Sequence, residues 1–267
     1  PMTRFDTITC LTDLGTSDES VGVLHSILRD LTPGSLVIDL CHDIHPGDVR
    51  AGSLMLARSV PYLASGLVLA SVGSVLDRPA IAVEVGDGQA VLVGPDNGLL
   101  GAAVAVVGGA DRAVQLTNAE FHVMSPGVQH PARDVIGPVS GHLAAGQSIE
   151  KLGDSIDPNL LLPSLVPVSR LEEDGSISAE VIGRGRRGAA QLNIDRDTIS
   201  DKGDVFILEF GEEKRVVRIQ RPVDVNPGQL ALVDDEYGLL SVATGRDEGL
   251  VPAGLDFGAE VTIRETT

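Results

Sequence analysis

The chain has 267 residues, 43% of them hydrophobic but only 3% aromatic and none Trp, so its core is built from Val, Leu, Ile and Ala. A net charge of −18 argues against non-specific DNA or RNA binding, which needs an excess of Lys and Arg, and is compatible either with a cationic ligand or with solubility alone. No apolar run reaches the roughly 18 residues of a membrane span, and the N-terminal stretch PMTRFDT lacks the charged-then-apolar layout of a signal peptide. With Cys10 and Cys41 read as reduced core thiols, the expectation is a cytoplasmic protein without a membrane partner.

In chain order, DTITCLTD (6–13) is a buried strand, and residues 18–30 place Val21, Leu24, Ile27 and Leu28 at helical spacing, with Ser17 or Asp18 as cap. SLVIDLC (35–41) is a second strand and HPGDVRAGSLMLARSV (45–60) a helix that begins at proline. Strands follow at 66–73, 80–85 and 90–97, then helices at 98–108 and 132–146. Continuous apolar strands separated by helices predict an α/β N-terminal domain, residues 1–160, with a mostly parallel central sheet. PNLLLPSLVP (158–167) reads as a linker. Beyond it, runs at 176–183, 189–194, 204–210, 215–222, 229–235, 237–243 and 259–265 alternate without helices. That predicts a smaller all-β, barrel-like C-terminal domain over residues 168–267.

Candidate functional residues cluster after the strands. Asp13 ends the first strand just before Gly15, where ligands of open α/β sheets bind; its carboxylate suits a ribose diol, or caps the turn. CHDIHPGDVRAG (41–52) gathers His42, Asp43, His45, Asp48 and Arg50 at no tight metal spacing, so turn and cap roles are favoured and no metal is expected. GPDNGLL (94–100) is a strong turn whose Asn97 amide can also line a pocket. In QHPARDVIGP (129–138), His130 is either a base or a surface residue, with Arg133 and Asp134 at a helix start. His25 reads as structural or solvated, and His122 and His142 form no constellation. GRGRRGAA (183–190) is a basic knot suited to a carboxylate or phosphate, or a solvated hairpin turn. There is no P-loop, GxSxG, HExxH or CxxC pair.

Taken in order, LTDLGTSDESVG, VIDLCHDIHPGDVRAG, VGPDNGLL and ARDVIGPVSGHLAAG, followed by a small β domain containing YGLLSVA, resemble the S-adenosylmethionine (SAM) hydroxide adenosyltransferase family, which includes SAM-dependent fluorinases and chlorinases. The resemblance implies a cytoplasmic homotrimer whose ligand sits between the N-domain of one subunit and the C-domain of the next. It implies that Asp13 holds the ribose hydroxyls, that Asp18 and Ser20 lie beside the ligand, and that SAM is a substrate with no cofactor required. The implied reaction is displacement at ribose C5′, by water to give adenosine and L-methionine or by halide to give a 5′-halo-adenosine.

The resemblance also marks departures. The family's Asp-Arg-His set falls on Ser71, Arg78 and Pro131, with His130 one position away, so Ser71, Arg78 and His130 are the candidates for positioning the nucleophile. The adenine-contacting Phe-Gly-Asn turn becomes RGA (187–189), and the Asn-Ser-x-Gly near methionine becomes DEYG (235–238), placing Glu236 and Tyr237 there. Arg184 stands where an Asp would meet the methionine ammonium, which admits a third reading: a non-catalytic adenine-nucleotide binder using Arg184, Arg186 and Arg187.

Overall fold

The alternating Ile8, Cys10, Leu67, Leu69, Val91 and Val93 pack on one face of a central sheet, and Leu11, Val68, Ala70, Ile81, Val83 and Leu92 on the other. Strands apolar on both faces need a helical layer on each side, and the chain supplies them. The computed structural model describes residues 4–73, 78–185, 188–245 and 254–266. The chain divides into two compact units, 1–166 and 167–267, with the boundary inside the proline-rich linker.

The first unit contains β1 (Thr7–Thr12), α1 (Ser20–Leu31), β2 (Leu36–Cys41), α2 (Val49–Ser59), β3 (Leu67–Ser71), β4 (Ala80–Val85), β5 (Ala90–Pro95), α3 (Gly101–Val106), β6 (Arg112–Gln115), α4 (Gly137–Ala144) and β7 (Asp154–Ile156). The sheet order is β2-β1-β3-β5-β4-β6-β7. β2, β1, β3 and β5 pair in parallel, while β4 is antiparallel to β5 and β6, and β7 is antiparallel to β6. Five of the seven strands therefore run one way, as the apolar runs predict. The β4–β5 hairpin turns on Gly86-Asp87-Gly88, a strong hairpin signal that periodicity alone reads as two more parallel strands.

Leu24 and Leu28 of α1 join Val139 and Leu143 of α4 on one face, and Leu56 of α2 joins Ala103 of α3 on the other. From β1 the chain crosses one face to β2 and returns over the opposite face to β3, on the other side of β1. The crevice between the carboxyl ends of β1 and β3 is thus a topological switch point, the place where open α/β sheets bind ligands.

The second unit contains β8 (Arg170–Leu171), β9 (Ile177–Arg184), β10 (Ala190–Asp195), β11 (Val205–Phe210), β12 (Glu213–Ile219), β13 (Leu230–Asp234), β14 (Leu239–Thr244) and β15 (Glu260–Glu265). The order β10-β14-β13-β12-β11-β15-β9 is closed by pairing of β10 with β9, giving a seven-stranded barrel to which β8 adds at β9. Its interior alternates along each strand: Val181, Leu192, Phe206, Leu208, Phe210, Val217, Leu240, Val242 and Ile263 are all buried in one cluster. Closure removes the exposed edges that so many short strands otherwise present. The string Gly183-Arg-Gly-Arg-Arg-Gly188 has the glycine spacing of a dinucleotide fingerprint, but it joins two antiparallel barrel strands. The phosphate-binding form needs a strand leading into a helix, so the spacing here is a hairpin's. The short strands β6, β7 and β8 carry too few residues for periodicity to show them. Among the described residues, no helix is long and apolar enough to cross a membrane.

Candidate functional site

Asp13 lies one residue beyond β1, and its backbone N–H donates to the Ser71 carbonyl at the end of β3 (3.2 Å). Its Oδ2 accepts two backbone N–H groups, from Gly47 and Gly73, both at 2.9 Å. The carboxylate thereby ties together the loops after β1, β2 and β3. The sequence HPGD explains the Gly47 contact: Pro46 and Gly47 (φ 78°) are the central residues of a turn closed by Asp48 N–H to the His45 carbonyl (2.9 Å). That is type II geometry, which favours Pro then Gly. Asp48 then caps α2, accepting from Ala51 N–H (2.9 Å), as its place before the helix predicts. Asp13 Oδ1 has no hydrogen-bond partner among the described residues.

Ser71 is buried at the end of β3, opposite Thr12 in the β1–β3 register. Asn97 is committed locally: its amide donates to the Val72 carbonyl (3.0 Å) and its oxygen accepts from Leu99 N–H (3.1 Å). It therefore shapes the loop after β3 rather than presenting a free amide. Arg78 is exposed just before β4; residues 74–77, the rest of the segment read from the resemblance, lie outside the described residues. Among the described residues, Arg78 has no ion pair, and no contact joins it to Ser71 or His130.

A second group forms where α1 begins. Asp18 accepts from Ser20 N–H (2.9 Å), and hydrogen bonds from the Ser20 backbone and side chain hold its carboxyl below the usual carboxylate range. The residue preceding α1 is Glu19, which caps nothing with its side chain, so Asp18 acts as a turn former one position earlier than expected of a cap. His130, close enough to Asp18 for their charges to interact, shares a small cleft of about 120 Å³ with Leu14, Glu19, Ser20, Val23, Leu24 and Arg133. The expected helix at 132–146 begins instead as a π-helical turn, Pro131–Ile136, before α4. Such turns are frequent at functional sites.

Asp134 anchors that turn. Fully buried, it accepts from His130 N–H (2.6 Å), Arg133 Nε (2.6 Å) and Arg133 Nη2 (2.9 Å). Burial pushes its carboxyl pKa up, but the Arg133 guanidinium and the His130 N–H outweigh it and hold the group below the usual range. Sequence reasoning placed Asp134 at the helix start without a role; its adjacency to Arg133 was the signal available. A larger hollow of about 280 Å³ between α3 and residues 158–163 is mostly apolar. Its one carboxylate, Asp96, already accepts from Leu162 N–H (2.9 Å), so the hollow is a packing seam of the linker.

In the barrel, Arg184 is engaged: it donates to the carbonyls of Gly188 and Leu255 (3.2 Å each) and to Asp256 (3.1 Å). Arg186 lies outside the described residues, as does Arg187. Glu236 and Tyr237 are exposed on the β13–β14 turn, which Asp235 organises by accepting from Tyr237 N–H (2.8 Å) and Leu239 N–H (2.9 Å).

Cys10 and Cys41 are free thiols, as read from the sequence, with Cys10 buried and Cys41 half-buried, whereas one grouping went unread. Burial and the nearby Asp39 charge push the Cys10 thiol up to about 12, which keeps it neutral. His25 of α1, Asp39 of β2 and His42 just after β2 converge, although 14 residues separate His25 from Asp39. His25 and His42 each place Nε2 at 2.9 Å from Asp39 Oδ1.

This geometry can be set beside known proteins. A family model described as the SAM hydroxide adenosyltransferase N-terminal domain matches residues 8–153, which span β1 through the turn before β7. A Salinispora tropica protein named "(R)-S-adenosyl-L-methionine hydrolase" is 38% identical over 238 residues, covering 88% of this chain and 89% of that one. A protein of Actinopolyspora mzabensis named "Fluorinase" is 27% identical, over 79% of this chain and 77% of that one. The crystal structure of an uncharacterized conserved protein from Thermotoga maritima is 26% identical and superposes with a TM-score of 0.83, covering 97% of this chain and all of that one. With both domains of the expected kinds and the family model matching more than half of the sequence, the chain belongs to the SAM hydroxide adenosyltransferase family.

Proposed function

We propose that the chain cleaves SAM at ribose C5′ with water, giving adenosine and L-methionine. The oxygen of water bonds to C5′ while the C5′–S bond breaks, its electron pair neutralises the sulfonium as a thioether, and one water proton is released. Sulfonium is a good leaving group already, so the protein's task is to align the water with the C5′–S bond and strip competing solvent. The observation that carries this reading is Asp13: one carboxylate oxygen is fixed by two backbone N–H groups and the other is left open at the switch point. The name borne by the Salinispora tropica relative supports the substrate.

In this proposal Asp13 accepts from the ribose hydroxyls, and Asp18 and Ser20 line the ligand. Ser71, His130 and Arg78 position the water, and Asn97 holds the loop after β3. Glu236 and Tyr237 meet the methionine end. So does Arg184, whose pairing with Asp256 offsets the charge that would repel an ammonium. SAM is the substrate and the displacement needs no metal or cofactor. We further propose, from the family resemblance, that the working form is a cytoplasmic homotrimer with no nucleic-acid or membrane partner.

The test is chromatography of the protein incubated with SAM, with and without chloride, against a protein-free control. Adenosine formed at equal rates in both supports water as the nucleophile. A chloride-dependent 5′-chloro product replaces water by halide, the reading favoured by the fluorinase relative. Absence of both product and SAM binding overturns the proposal.

A further inference from the structure

We propose that His25, Asp39 and His42 form a binding site for a divalent transition-metal ion, with zinc the best match to two imidazoles and one carboxylate. The site does not depend on the displacement reaction proposed above. It stands on three elements, α1, β2 and the loop after β2, which converge so that one donor atom from each residue lies within 4.8 Å of the other two.

The decisive residue is His42. It is 95% buried, since its relative exposure is 5%. Its Nδ1 lies 2.8 Å from Thr12 Oγ1, the kind of outer contact that fixes ring orientation and tautomer in metal sites. In the tautomer whose Nδ1–H donates to Thr12, Nε2 presents a lone pair. That nitrogen is 2.9 Å from Asp39 Oδ1 but lacks hydrogen-bond alignment, and it has no hydrogen-bond partner among the described residues. A buried lone pair facing a carboxylate oxygen without an intervening proton is repulsive, and a cation between them removes the repulsion.

Metal binding requires a local adjustment of the three donors. Metal–ligand distances of about 2.0–2.2 Å place tetrahedral donors about 3.3–3.5 Å apart. The two Asp39 contacts must therefore open by a few tenths of an ångström. The side chains of His25 and Asp39 are 37% and 43% exposed, which permits that movement and leaves a fourth position for water. Nearby exposed His45 lies outside the trio and serves as a control.

The experiment uses the untagged full chain, stripped with chelator and then titrated with Zn²⁺ against a chromophoric chelator. A parallel Co²⁺ titration is followed by visible absorption. One equivalent per chain is expected, with the intense visible bands of four-coordinate Co²⁺. His25→Ala and Asp39→Asn, checked by circular dichroism, should each weaken binding by at least about tenfold, while His45→Ala leaves it unchanged. Three results would overturn the proposal: no stoichiometric binding by the wild type, binding that survives both His25→Ala and Asp39→Asn, or binding lost on His45→Ala.

Discussion

Replacing Asp13 by alanine separates the two things its carboxylate does. On the protein side it removes an acceptor shared by Gly47 and Gly73 N–H, both at 2.9 Å. Gly47 is exposed and Gly73 half-buried, so water takes over much of this bonding, and the loss of stability should be about 1–2 kcal/mol. On the ligand side the loss is larger. Two hydrogen bonds from a ribose diol to an ionised acceptor contribute about 1.5–3 kcal/mol each, so adenosine affinity should fall by roughly 10²- to 10⁴-fold. Asp13→Asn sharpens the distinction. Its amide oxygen can still accept from the two glycines, but it presents an NH₂ rather than an oxygen to the diol. It should keep nearly wild-type stability while losing most of the affinity. Calorimetric titration with adenosine, paired with urea unfolding, measures both quantities. A folded Asp13→Ala protein that binds adenosine within about threefold of wild type would refute the ribose assignment.

Other consequences concern the turn that carries His130. Asp134→Ala removes a fully buried carboxylate and leaves the His130 N–H and the Arg133 guanidinium without it; urea unfolding should show a loss of about 2–4 kcal/mol. Because the folded pKa of Asp134 is depressed, its stabilisation is fully present above the unfolded value of about 3.9 and fades as pH falls through the lower folded value. Stability measured from pH 5 downward, roughly the start of that window, should therefore fall more steeply in wild type than in Asp134→Asn. Gly137→Ala places a Cβ 2.6 Å from both the Ala132 carbonyl oxygen and Leu24 Cδ1. The π-helical turn must shift, so melting should drop by several degrees, corresponding to about 1–3 kcal/mol, and turnover should fall as His130 is displaced.

The large elements were legible because both domains obey simple periodicities. The runs at 35–41, 66–73 and 80–85 became β2, β3 and β4 with boundaries shifted by two residues at most. Pro46-Gly47-Asp48 announced both its turn and its helix cap. The direction of β4 was harder to read, because its burial on both faces makes it resemble a parallel strand. The π-helical turn was invisible as well, since it is fixed by Asp134 accepting from its neighbours rather than by apolar spacing. For the candidate site, strand-end position singled out Asp13, which the structure places where it joins the loops after β1, β2 and β3. It could not reveal that Asn97 and Arg184 are occupied by local contacts. Nor could it reveal the His25–Asp39–His42 convergence, because that depends on how α1 lies against β2, a tertiary fact without a local signature.

The most direct test of the central claim is the reaction in heavy-oxygen water, with SAM as substrate and mass spectrometry of both products. Displacement at C5′ by water predicts adenosine carrying one heavy oxygen and methionine carrying none. Unlabelled adenosine, or label in any other product, would contradict the account.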